Sequence, residues 1–153
     1  MRSRILTAIS TLLLVSAQPS LCAPESAAKT SEAKSAATVV HLSHFGDNLH
    51  ATVMALKICR ALQKRKVPVT LFLDQEGVRL ADKRQPQDLR WGESEKVSTY
   101  FNAFVESGGK VLVCPHCAPA AGLEETNVRE GGRIATEDEI GSAIADAQKI
   151  MDY

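Results

Sequence analysis

Residues 38–73, TVVHLSHFGDNLHATVMALKICRALQKRKVPVTLFL, decide the fold. An aliphatic run from Thr38 to Leu42 reads as a strand, and the polar turn from Ser43 to Asn48 holds Gly46 with two suitable helix caps, Asp47 and Asn48. Leu49, Val53, Leu56, Cys59 and Leu62 then recur every three or four residues, with Lys57, Arg60 and Lys64 marking the wet side of an amphipathic helix. Pro68 closes that region. Val69 to Leu73 is almost uninterruptedly apolar, the pattern of a central strand covered on both faces. Strand, helix and strand in this order make a right-handed crossover between parallel strands.

Toward the C-terminus the alternation continues. Asp74 to Gly77 reads as a turn, Val78 to Ala81 as a short helical turn, and Asp82 to Gly92 as a surface loop carrying Trp91, a plain excursion in preference to a lid or a subunit contact. A second helix opens at Glu93 or Ser94, presents Val97, Tyr100, Phe101, Phe104 and Val105 on one face, and closes at Gly108-Gly109. Val111 to Val113 is a buried strand that runs into Cys114-Pro115-His116-Cys117 and a short helix. Glu124 to Gly132 reads as polar loop. Thr136 and Glu139 form a capping box for a helix with Ile140, Ala143, Ile144 and Ala147, and Lys149 to Tyr153 makes a last short strand. Four strands alternating with three helices predict an α/β domain with an open, mostly parallel sheet and helices on both faces, a three-layer α/β/α arrangement. Ligands collect beyond the carboxyl ends of such strands, so the turns at 43–48, 74–77 and 114–117 are expected to share one edge.

Upstream of residue 38 the composition changes. Arg2 and Arg4 precede an apolar run, Ile5 to Val15, too short to span a bilayer, and Ser16-Ala17 follows, so residues 1–17 read as a secretory signal peptide. A cut at residue 23 is the alternative, less suited because Pro24 follows. Residues 18–37, rich in Ala, Ser, Lys and Glu, read as a flexible tether, and residues 38–153 as the domain. The expected location is periplasmic or secreted. Leu21 in the place of a small residue argues against lipidation of Cys22. Losing Arg2 and Arg4 leaves sixteen basic residues against eighteen acidic, a charge of −2 without a nucleic-acid footprint. No P-loop, dinucleotide fingerprint or nucleophile elbow is present.

Of four cysteines, only Cys114 and Cys117 are close enough in sequence to act together, and Cys59 belongs to a helix's apolar face. A sulfur where a strand hands over to a helix meets backbone N–H groups and a positive dipole end, which favour a reactive thiolate at Cys114. His116 could tune it, and Cys117, about one turn on, could resolve an intermediate. The motif alone also fits a thioredoxin-type dithiol–disulfide oxidoreductase, but that fold needs a long return segment bearing a cis-proline, and little chain follows. A third reading is a non-catalytic metal- or partner-binding module. Cys-x-x-Cys supplies half of a four-ligand site. His41 and His44, three apart on a strand, face opposite ways, although His44 at the strand end could meet the cysteine loop. No metal ligand set or cofactor is assigned. Gly46, Asp47 and Asn48 at a helix start could hold an anion or simply begin the helix.

In order and spacing these features resemble the DsrE/DsrF-like family, small sulfur-relay proteins that include TusD-like and YchN-like members. The matching stretches are VVHLSHFGDNLHATVMALKICRAL, a second strand followed by Glu76-Gly77-Val78, a Gly-Gly-Lys lead into the cysteine strand, and Cys114 with Gly122-Leu123 eight residues on. The resemblance implies a flavodoxin-like fold assembling as dimers, trimers or hexamers. It also implies a persulfide on Cys114, exchanged with sulfur-donor and sulfur-acceptor thiol proteins or low-molecular-weight persulfides. Whether such a protein is a sulfurtransferase or a stoichiometric carrier stays open. Two features depart from the pattern: the expected export, and Cys117, which only some members share. A neighbouring thiol could discharge a persulfide as an internal disulfide.

Overall fold

The computed structural model describes residues 37–153, so the expected signal peptide and all but the last residue of the expected tether lie outside the described residues. Strands β1 (Thr38–Leu42), β2 (Val69–Leu73), β3 (Lys110–Val113), β4 (Gly132–Ile134) and β5 (Lys149–Asp152) form one sheet in the order β4-β3-β2-β1-β5. All four pairings are parallel. Helix α1 (Leu49–Lys64) joins β1 to β2, and α2 (Val97–Glu106) joins β2 to β3. The chain then steps through α3 (Cys117–Ala120) to the edge strand β4. It returns across the whole sheet through α4 (Glu137–Ala145) to place β5 beside β1.

The two faces are unequally covered. Val40, Leu42, Leu71, Leu73, Val111 and Val113 point to one face and pack with Val53, Leu56, Phe101 and Phe104 of α1 and α2 into the core. The opposite face carries Val39, His41, Phe72, Leu112 and Ile150 in alternation. Among the described residues only α4 lies over it, lining a cleft with Thr70, Leu112 and Arg133, and none of its residues is fully buried. Ile144 and Ile150 therefore stay 39% and 49% exposed.

Sequence patterning located every strand and α-helix except one. The segment read as loop from Glu124 to Gly132 contains a 3-10 turn, Glu125–Asn127, and its last residue begins β4. Three residues, Gly132-Arg133-Ile134, are too few to show alternation, and only pairing with Val111 to Val113 reveals the strand. The turn after β2 and the helical turn expected next fuse into one 3-10 helix, Gln75–Ala81. Helix α2 begins at Val97 rather than at Glu93 or Ser94, because the Ser94 hydroxyl is engaged in the preceding loop, accepting from Trp91 N and donating to Glu95 O. The capping box of Thr136 and Glu139 is formed as expected.

The loop after Ala81 is tied down rather than projecting freely. Asp82 bridges to Val128, and its buried carboxylate accepts from Arg84, which holds its pKa below the usual carboxylate range. Arg129 packs over the Phe101 ring at 4.1 Å and bonds Asn102 and Gln87, and burial pulls its pKa down to about 10. Trp91 stacks on His50 of α1 with centroids 3.9 Å apart.

Gly77 is the tightest contact between this segment and the sheet. Its N–H donates to Ser43 O at 3.1 Å, and any Cβ would run into the Leu42 carbonyl oxygen. The neighbour is backbone at the end of β1 and cannot yield without moving the strand. Gly77→Ala is expected to destabilise the protein by about 1–3 kcal/mol. Urea unfolding checks this, and an unchanged midpoint would show that the 3-10 helix can slide off β1.

Candidate functional site

Leu42, Leu73 and Val113 lie side by side in register, so the turns that follow β1, β2 and β3 emerge on one rim, as the sequence predicted. Cys114 continues that register: its N–H donates to Leu73 O at 2.8 Å. Past it the chain makes a single helical turn, closed by Ala118 N to Cys114 O at 3.0 Å and Ala121 N to Cys117 O at 2.9 Å. Gly122, at φ +68°, reverses the chain so that Leu123 drops into the core. Both rim cysteines are free and half-exposed.

The regular helix begins at Cys117, and the turn leading into it starts at Cys114, whose O accepts from Ala118 N. One turn carries little dipole, since the effect needs several aligned peptides. A backbone donor outside this turn serves the other sulfur. Gln75 N–H points at Cys117, and Gln75 is a non-glycine residue in the left-handed region at φ +43°. Against that donor, burial, the hydrogen-bonded Cys114 sulfur and the Asp74 carboxylate together push the Cys117 thiol pKa up. At neutral pH Cys117 is a thiol within hydrogen-bonding reach of Cys114. Cys59 is fully buried, with its pKa pushed up to about 12 by burial, an inert core residue as expected.

The other predicted site residues are occupied elsewhere. His116 Nε2 lies 2.8 Å from Glu137 Oε1 at the start of α4, with both side chains about three-quarters exposed, so its ring pairs with a carboxylate rather than with a cysteine. His44 pairs with Asp47 at 2.5 Å instead of meeting the cysteine loop. Asp47 also accepts from Phe45 N at 2.8 Å, and Asn48 caps α1 by accepting from Ala51 N at 3.2 Å. The Asp47 carboxyl is pulled below its usual range by its bonds to His44 and Phe45, which outweigh burial. Gly46 has open space around it. In this turn the Asp47 and Asn48 side chains serve the turn itself and the start of α1.

A cluster that sequence patterning did not assemble lies on the same rim. His41 stacks on Phe72 with centroids 5.1 Å apart, and its Nδ1 is 2.9 Å from Asp152 Oδ1 of β5. Its Nε2 is 3.0 Å from Asp74 Oδ1 and 3.3 Å from Ser43 Oγ. The Asp74 contact is an ion-pair distance without hydrogen-bond geometry, which leaves Oδ1 buried and without a hydrogen-bond partner. Among the described residues, no three His, Cys, Asp or Glu side chains converge as a metal site, and no helix is long and apolar enough to cross a membrane.

A model of the DsrE/DsrF-like family matches residues 31–153. An uncharacterised protein of Methanocaldococcus jannaschii is 26% identical over 102 residues, 65% of this chain and 83% of that protein. Among solved structures, the ychN protein of E. coli superposes with a TM-score of 0.64 at 18% identity, covering 78% of this chain and 99% of that one. A protein of unknown function from Methanobacterium thermoautotrophicum superposes with a TM-score of 0.59 at 13% identity, covering 77% and 99%. These likenesses share the α/β architecture described above.

Burial would lower the His41 pKa from 6.5, but its contacts with Asp152 and Asp74 outweigh it and the pKa is raised. A pKa higher in the folded than in the unfolded chain favours folding fully below the unfolded value, and the benefit is lost as pH rises through the folded value. His41→Gln is therefore expected to flatten the fall in stability on going from slightly acidic to slightly alkaline pH. Denaturant midpoints measured across that window check it, and parallel curves for the two proteins would remove His41 from the balance.

Proposed function

This chain belongs to the DsrE/DsrF-like family, related to sulfur-relay proteins, and on that premise we propose that it carries sulfane sulfur as a persulfide on Cys114. The observation that supports this most directly is the free, half-exposed sulfur of Cys114 on the rim, with a second sulfur beside it. Cys114 thiolate attacks the outer sulfur of a donor persulfide, and the donor leaves as a thiolate. An acceptor thiol then attacks the outer sulfur on Cys114 and restores the free cysteine. Alternatively, Cys117 attacks the inner sulfur: a Cys114–Cys117 bond forms, the sulfur–sulfur bond of the persulfide breaks, and the outer sulfur departs reduced, as hydrogen sulfide. A dithiol reductant resets the pair. The donors and acceptors are thiol proteins or low-molecular-weight persulfides.

Two further parts of the proposal rest on other features. The basic and apolar segment from Arg2 to Ala17 supports export, hence action in a periplasmic or extracellular setting. The half-covered apolar side chains of α4 and β5, Ile144 and Ile150, support self-association into dimers, trimers or hexamers. The adjacent pair of free thiols favours dithiol–disulfide exchange as the second reading.

Incubation with a low-molecular-weight persulfide followed by intact-mass measurement is expected to show one added sulfur atom. Cys114→Ser should lose it and Cys59→Ser should keep it. Cys117→Ser should retain the sulfur longer than the wild type. Uptake that persists in Cys114→Ser would sink the proposal, and reversible Cys114–Cys117 disulfide formation without uptake would favour the oxidoreductase.

A further inference from the structure

We propose that Asp74 accepts the proton of Cys117 when that thiol attacks a sulfur bonded to Cys114, with His41 supplying the positive charge beside the carboxylate. The inference deepens the reading of the rim cysteines as a working pair and rests on it. Asp74 follows Leu73 in β2 as Cys114 follows Val113 in β3, so the two are next in register on adjacent parallel strands, which lie about 5 Å apart. Helix α3 packs on the 3-10 helix that Asp74 precedes, bringing Cys117 toward the same carboxylate. On the far side of Asp74 stands His41 Nε2, 3.0 Å from Oδ1, and His41 is itself held by Asp152 at 2.9 Å. The row runs from the sulfurs through Asp74 and His41 to Asp152, which is 75% exposed and reaches solvent.

Two observations make Asp74 the acceptor. Its Oδ1 is buried and makes no hydrogen bond, with only the His41 ring 3.0 Å away, so the carboxylate depends on positive charge at His41 or on an arriving proton. Cys117 is a partly buried thiol and becomes a nucleophile only by losing its proton. The neighbouring ionisable groups leave few rivals. From β1 comes His41, from β5 Asp152, from α3 Cys117 and from the end of β3 Cys114. Glu76 is paired with Arg79, His44 with Asp47 and His116 with Glu137. In the step, the Cys117–Cys114 bond forms and the bond from Cys114 to the outer sulfur breaks. The Cys117 sulfur is oxidised, the Cys114 sulfur keeps its oxidation state, the outer sulfur is reduced and leaves as thiolate or sulfide, and the proton moves to Asp74.

The test needs no persulfide. Cys114 in the Cys22→Ser chain is converted to its mixed disulfide with thionitrobenzoate, and release of the coloured thiolate follows the attack by Cys117. Rates are measured against pH for this chain and with Asp74→Asn or His41→Gln added. Asp74→Asn is expected to slow the attack roughly 100-fold at mildly acidic pH, with the gap closing at alkaline pH where the thiol ionises unaided. Convergence there also shows an intact fold. If Asp74 merely repels the Cys117 thiolate, the same variant speeds the attack at low pH, and that result or no change overturns the inference. His41→Gln is expected to shift the acidic limb of the profile to higher pH, so a failure of Asp74→Asn to fold still leaves a decisive variant, whose unshifted profile also overturns it. Sulfur uptake without Asp74 dependence defeats the proton path alone. Asp74-dependent attack without uptake defeats the sulfur-carrier reading alone.

Discussion

The parallel register of the three inner strands is the constraint on which the rest of this structure depends. With Leu42, Leu73 and Val113 side by side, every chain reversal at that end of the sheet falls within one short rim. Because the inner-face side chains of these strands are buried beneath α1 and α2, a slip of one residue would turn an aliphatic set out of the core. Hydrophobic packing thus holds the relative positions of Cys114, Asp74 and Ser43 to within a strand spacing, although none of the three belongs to the core.

Around that frame, the backbone supplies what the side chains cannot. Gly77 lets the 3-10 helix press onto the end of β1, and Gly122 lets the chain fold back so that Leu123 anchors the cysteine turn. Gln75 adopts a left-handed conformation that ordinarily favours glycine, and the N–H so presented faces the Cys117 sulfur.

Electrostatics divides the rim into groups that neutralise one another and groups left poised. His44 with Asp47, Arg79 with Glu76 and His116 with Glu137 are local or exposed pairs, worth little to stability in water. His41 differs because it is half-buried between two carboxylates, one just past the end of β2 and one in β5. Its raised pKa and the burial of the Asp74 oxygen beside it are consequences of the sheet bringing together charges that isolated segments would keep in solvent.

The crossover of residues 38–73, the cysteine-bearing strand, the capping box at Thr136 and the burial of Cys59 were all legible in the sequence, because each is written locally, as an apolar run, a 3.6-residue period or a capping pair. The shared edge of the three turns followed from parallel topology alone. Tertiary structure decided the rest. Strand β4 exists only through its pairing with β3, and His41 meets Asp152 across 111 residues of chain. His116 turns to Glu137, 21 residues away, and the regular helix that was expected to face Cys114 starts at Cys117. Such contacts arise from strand order and register, which a linear pattern does not contain, since periodicity reports which face of an element is apolar but not which distant side chain will stand opposite it.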